Sequence, residues 1–183
     1  MVSIGIEYNG KMEHICSGAL IRQNWIITAA SCFDSFDGNQ SRLQLTFGVD
    51  NAVETDNSNR RFIIDVKKHP SYKPKYLENN IAFVEFDKRI EFGSFVNPIC
   101  QPDDQRSNLN NQTIFINGWG MSGIYNYGQI GHSLKNPIPT LKMQSRKWCN
   151  EIHNTTWGRV FLPRLFNEDM FCATTTEVHK LHI

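Results

Sequence analysis

Val2, Ile4, Ile6 and Tyr8 share one parity at the start of the chain, with polar or small residues between them. A period of two places them on one face of a β-strand. Asn9-Gly10 follows, a pair that tolerates the positive φ angles of a tight hairpin, so a second strand should run back along the first. Further segments with strand character are 25–28, 42–49 (Leu43, Leu45, Phe47 and Val49 alternating), 61–66 and 80–86. Six short strands with turn-rich spacers predict a small barrel or sandwich.

The second half repeats this pattern less clearly. Residues 113–117 read as a strand and 141–153 as a helix, with Pro137 and Pro139 ahead of it. The segment 97–112, rich in Asn, Gln, Asp and Pro, reads as an exposed connection between the halves. There is no short internal repeat and no low-complexity tract.

With 183 residues, 40% hydrophobic and 20% charged, the chain suits one globular domain or two half-domains sharing a core. Nineteen basic against eighteen acidic residues give a net charge of +1. No strong field exists to gather nucleic acid or an anionic membrane, so charge names no partner. No apolar run approaches the roughly 20 residues of a membrane-spanning helix. The opening MVSIGIEYNG alternates where a secretory signal would be continuously apolar. The chain is therefore expected either to stay inside the cell or to begin within a longer secreted precursor. Cys16, Cys32, Cys100, Cys149 and Cys172 form none of the close C-x-x-C pairs of a zinc or redox site, and disulfides fit them better. Three glycosylation sequons, at Asn39, Asn111 and Asn154, point weakly to the same secreted setting.

The stretch CSGALIRQNWIITAASC, from Cys16 to Cys32, resembles a block of the trypsin/chymotrypsin-like serine proteases. There a cysteine, small residues and Leu-Ile lead to Trp-Val-Leu-Thr-Ala-Ala-His-Cys. Downstream the family's landmarks recur in order: His69-Pro-Ser-Tyr72, Asn80-Ile-Ala-Phe-Val, Asn97-Pro-Ile-Cys-Gln-Pro102, Asn117-Gly-Trp-Gly120 and Met170-Phe-Cys-Ala173. The series in register covers nearly the whole chain. The resemblance implies an all-β fold, a trypsin-like double β-barrel with one short helix, in a single peptidase domain over 1–183. Within it, 1–93 would form a complete or nearly complete first barrel, 94–112 the connection and 113–183 an incomplete second barrel.

The family's mechanism needs a serine nucleophile, a histidine base and an aspartate that orients the histidine and stabilises its cation. By the resemblance, the histidine position is Ser31, which lacks a basic nitrogen, and the aspartate position is Asn80, which carries no charge. The nucleophile loop, Gly-Asp-Ser-Gly-Gly, would lie beyond Cys172. The eleven residues that follow, ATTTEVHKLHI, hold no serine and no glycine. Met1 falls after the point where the family's activating terminus would be. The expectation is therefore a degenerate homologue, truncated at both ends. Loss of a triad nucleophile or base costs roughly a million-fold in turnover.

The resemblance also implies that Cys16 pairs with Cys32 and Cys149 with Cys172. It leaves Cys100 either tied to an amino-terminal pro-segment, as in two-chain relatives, or as a free thiol. Other features have plainer readings. Gly120-Met-Ser122-Gly123 lacks the second glycine spacing and the helix of a nucleophile elbow, and reads as a loop. His179 and His182 are too few to hold a metal and read as a solvated tail. His69 belongs to a structural loop, and His153 ends a helix near its negative pole.

The function expected is a non-catalytic, secreted serine protease homologue, a binding or regulatory protein of an extracellular protease cascade. Its partners would be proteins, proteases or their substrates among them, with no nucleic acid, membrane, cofactor or metal. The alternatives are a trypsin-like endopeptidase represented by an incomplete sequence, and a degraded gene product without a stable fold.

Overall fold

The predicted hairpin is formed by β1 (Val2–Tyr8) and β2 (Lys11–Arg22), antiparallel, with Val2 opposite Gly18 and Tyr8 opposite Lys11. Asn9 takes φ 51° in the turn between them. In this computed structural model, residues 1–9, 11–36, 38–50, 59–101, 110–115, 117–119, 140–153 and 171–175 are described. The register of β1 on β2 shifts between Ile4 and Gly5. A Cβ at position 5 would lie 2.6 Å from the Glu13 carbonyl oxygen and 2.9 Å from Met12 Cε. Only glycine lets the two backbones close at this bulge.

Four more strands follow: β3 (Trp25–Thr28), β4 (Leu43–Phe47), β5 (Arg60–Lys68) and β6 (Ala82–Phe86). They complete a closed barrel in the order β1-β2-β3-β6-β5-β4. Closure pairs every strand on both sides and so leaves no edge. Inward parity fills the interior with Val2, Ile4, Leu20, Ile26, Leu43, Leu45, Val84 and Phe86, all essentially without solvent contact. Phe47 and Phe86 meet with ring centroids 5.1 Å apart and planes tilted by 49°. At roughly 1.5–3 kcal/mol for each such side chain, burial is what holds this half together. A 3-10 helix, Ala30–Phe36, tucks Ala30, Cys32 and Phe33 against the barrel end. A second, Gln40–Arg42, leads into β4.

In the second half, β7 (Thr113–Phe115), β8 (Thr140–Met143) and β9 (Ala173–Thr175) form a three-stranded antiparallel sheet in that order. One short helix, α1, spans Arg146–His153. The helix expected over 141–153 is thus shorter, because its first residues pair as strand β8 with neighbours on both sides. Met143 is buried and Lys142 exposed, the alternation of a strand. Ser145 then sets the helix start: its Oγ accepts the Trp148 N–H at 3.2 Å, an N-cap bond. β7 is described over Thr113–Phe115, and Asn117, expected at the end of that strand, lies in none. The connection is mostly exposed where it is described, with Val96 and Pro98 half-buried and the Ile99 N–H donating to the Leu20 carbonyl at 2.8 Å.

Candidate functional site

β3 and β6 are paired so that Thr28 lies opposite Ala82. Three residues past Thr28 and two residues before Ala82, the chain therefore brings Ser31 and Asn80 to the same end of the barrel, although they are 49 positions apart. Both are half-buried. The Ser31 backbone N–H donates to Asn80 Oδ1 at 2.8 Å, and Asn80 Nδ2 donates to Ser31 Oγ at 3.0 Å. A backbone N–H can only donate, so the atom facing it must be the carboxamide oxygen, which fixes the amide orientation.

The result is a neutral, reciprocal pair. Asn80 uses one acceptor and one donor on Ser31, and the hydroxyl accepts what the amide gives. Neither group binds a proton near neutral pH, so this pair can neither deprotonate a nucleophile nor stabilise a cation.

The surroundings are rigidly tied. Cys16 of β2 is disulfide-bonded to Cys32, with Cα atoms 6.1 Å apart, and Thr28 Oγ1 donates to the Ser17 carbonyl at 2.8 Å. The loop ahead of Asn80 turns through His69, whose Nδ1 accepts the Ser71 N–H at 3.1 Å and whose backbone N–H donates to the Ile81 carbonyl at 3.0 Å. His69 is accordingly a turn-forming residue. Tyr72 Oη donates to Asp34 Oδ2 at 2.6 Å, and Lys68 Nζ donates to Asp34 Oδ1 at 2.9 Å, tying the loop to the helix of Ser31. The Tyr72 hydrogen bond, helped by Lys68 and opposed by burial, holds the Asp34 carboxyl below its ordinary pKa. Burial, with Asp34 alongside, pushes the Tyr72 phenol up to about 12. Further out, Lys73 is held above its ordinary value by its 2.6 Å hydrogen bond to Glu78.

A second polar cluster went unread in the sequence. His14 on β2 has Nδ1 2.8 Å from Ser3 Oγ and Nε2 3.4 Å from Ser17 Oγ, and its ring meets Trp119 edge-on at 5.4 Å. Trp119 is buried and donates Nε1–H to the Asp50 carbonyl at 3.0 Å. A histidine and two serines far apart in sequence carry no local signal of this contact; only the Gly-Trp motif stood out.

The second disulfide joins Cys149 of α1 to Cys172, with Cα atoms 6.1 Å apart, and Cys100 is an exposed free thiol. Asn39 and Asn111 are exposed. Asn154, His179, His182 and Ser122 lie outside the described residues, as does the side chain of His153. Among the described residues no three His, Cys, Asp or Glu side chains converge as a metal site would require, and no helix is long and apolar enough to cross a membrane.

Comparison with known proteins gives this geometry its context. A venom peptide isomerase heavy chain from Agelenopsis aperta is 34% identical over 146 residues, 79% of this chain and 57% of the relative. Coagulation factor IX of Oryctolagus cuniculus is 32% identical over 127 residues, 66% of this chain and 44% of the relative. Trypsin-3 of Salmo salar is 29% identical over 171 residues, 91% of this chain and 62% of the relative. The chain thus spans less than two thirds of the length of each. Among solved structures, a scabies mite inactivated protease paralogue, S-D1, superposes with a TM-score of 0.74 at 19% identity, covering 95% of this chain and 68% of the other, which speaks for the fold. The trypsin family model matches residues 1–180, and the chain belongs to the trypsin family of serine proteases.

Proposed function

We propose that this chain is a non-catalytic trypsin-family protein that binds rather than cuts, a regulatory component of an extracellular protease cascade. The observation that carries the reading is the reciprocal Ser31–Asn80 pair. By the motif match, these two residues correspond to the family's histidine and aspartate, and they are joined here by two neutral hydrogen bonds. The scabies mite neighbour, described as an inactivated protease paralogue, lends this reading its fold and no more. Two disulfides suit an oxidising, extracellular setting, and the named relatives include a venom protein and a coagulation factor. Partners on this reading are proteins, proteases or their substrates among them, and the exposed Cys100 thiol is free to pair with a separate segment.

The test is incubation of the purified protein with peptide substrates of trypsin, chymotrypsin and elastase type, and with a fluorophosphonate probe. Neither turnover nor labelling is expected. Turnover that vanishes in Ser31→Ala or Asn80→Ala, and so cannot come from a contaminant, would establish the other reading, a working trypsin-like endopeptidase.

A further inference from the structure

We propose that Asn111 carries an N-linked oligosaccharide whose core sugars cover the exposed ring of Phe115. The inference rests on the extracellular setting proposed above, because a chain bound for it passes the membrane-bound sugar donor in the secretory pathway. Asn111-Gln112-Thr113 is a sequon, and all three residues are exposed. The backbone of Asn111 is already committed: it sits at φ 63° and its N–H donates to the Met143 carbonyl at 3.0 Å, closing the end of the three-stranded sheet. Its carboxamide, by contrast, makes no hydrogen bond among the described residues.

What lies beside the sequon gives the sugar something to do. Thr113 and Phe115 are two apart on β7 and share one face, their Cα atoms about 7 Å apart along the strand. The Phe115 ring is 69% exposed, the most exposed of the phenylalanines on the described strands, above Phe62 at 53% and Phe83 at 42%. The apolar face of a core sugar can stack on it and remove it from water. Installation balances simply. Nδ2 of Asn111 bonds to the anomeric carbon of a lipid-diphosphate-linked oligosaccharide, the bond from that carbon to the diphosphate oxygen breaks, and the lipid diphosphate leaves with its electrons as Nδ2 gives up one proton. Asn39 serves as an internal control. It is exposed with no side-chain capping bond, while the phenylalanines of the preceding 3-10 helix, Phe33 and Phe36, pack into the core.

The experiment expresses the full chain through a eukaryotic secretory pathway, maps glycopeptides by mass spectrometry, and follows self-association and binding of an apolar dye. Asn111 should be occupied. Asn111→Gln and Thr113→Ala should each lose one glycan and gain dye binding and self-association, as should the folded glycoprotein after enzymatic deglycosylation. Adding Phe115→Ser to Asn111→Gln should reverse that gain, whereas Asn39→Gln should lose at most one glycan and change neither readout. An unoccupied Asn111, glycan at Asn154 alone, or unchanged association after deglycosylation would each overturn the proposal. Peptidase activity enters none of these readouts, so a failure here is separable from a failure of the non-catalytic reading.

Discussion

Asn80 differs from an aspartate by one NH₂ in place of a carboxylate oxygen, and that difference decides what Ser31 Oγ meets: a donor at 3.0 Å rather than an acceptor. The pair's strength follows from its two reciprocal bonds. Asn80→Ala would leave the half-buried Ser31 N–H and hydroxyl without partners, and should lower stability by about 1–3 kcal/mol, read as a shift in the urea midpoint. Asn80→Asp should be far milder above the carboxylate pKa, since both Ser31 donors can point at the acid, and it should confer no peptidase activity because no base is restored. The Asp34–Tyr72 contact is sensitive to pH at both ends. The lowered Asp34 pKa contributes stability above the ordinary carboxylate value that is lost as pH falls through the lowered one. The raised Tyr72 pKa contributes stability that is complete below 10.0 and lost as pH rises towards about 12. The stability gap between the native chain and Tyr72→Phe should therefore be flat at neutral pH and close toward either extreme. A gap that ignored pH would mean the hydrogen bond contributes nothing.

At the scale of elements, what could be read depended on how far each signal reaches along the chain. The first strand and the segment 42–49 declared themselves through period-two alternation, and Leu43, Leu45 and Phe47 are all inside, as that alternation requires. Ser31 and Asn80 were legible as departures from a family motif, but their mutual bond was not, because it depends on pairing Thr28 with Ala82 across many intervening residues. The His14 cluster was invisible for the same reason. The helix was misread at its start because Leu141 and Met143 suit a strand or a helical face equally over so few residues. The partners β7 and β9 decide the matter, and neither can be inferred locally. Ser145 was the missed boundary signal. Ser145→Ala should remove its N-cap bond and destabilise the region of α1 by about 1 kcal/mol, visible as faster amide exchange in Arg146–His153 with no change in β1 to β6. Slower exchange or none would show that the disulfide from Cys149 alone holds this helix.

For the whole molecule, the two halves differ in how they treat strand edges. In the first, six strands close on themselves around a core of fully buried side chains. In the second, the described sheet has three strands of three or four residues, and β7 and β9 each have one neighbour within it. Opening a short strand breaks few bonds at once. Exchange from the closed barrel, by contrast, requires opening a unit in which every strand supports two others. Phe115 and Phe171, 69% and 67% exposed, add little burial to the second sheet. Native-state hydrogen exchange should therefore divide the chain: the amides of β1 to β6 should exchange slowly and together, close to the limit of global unfolding, while those of β7 to β9 exchange faster through smaller openings. Added denaturant should speed the second group less steeply than the first, because less surface is exposed in each opening. A single common rate and a single denaturant dependence across both groups would show instead that the halves unfold as one cooperative unit.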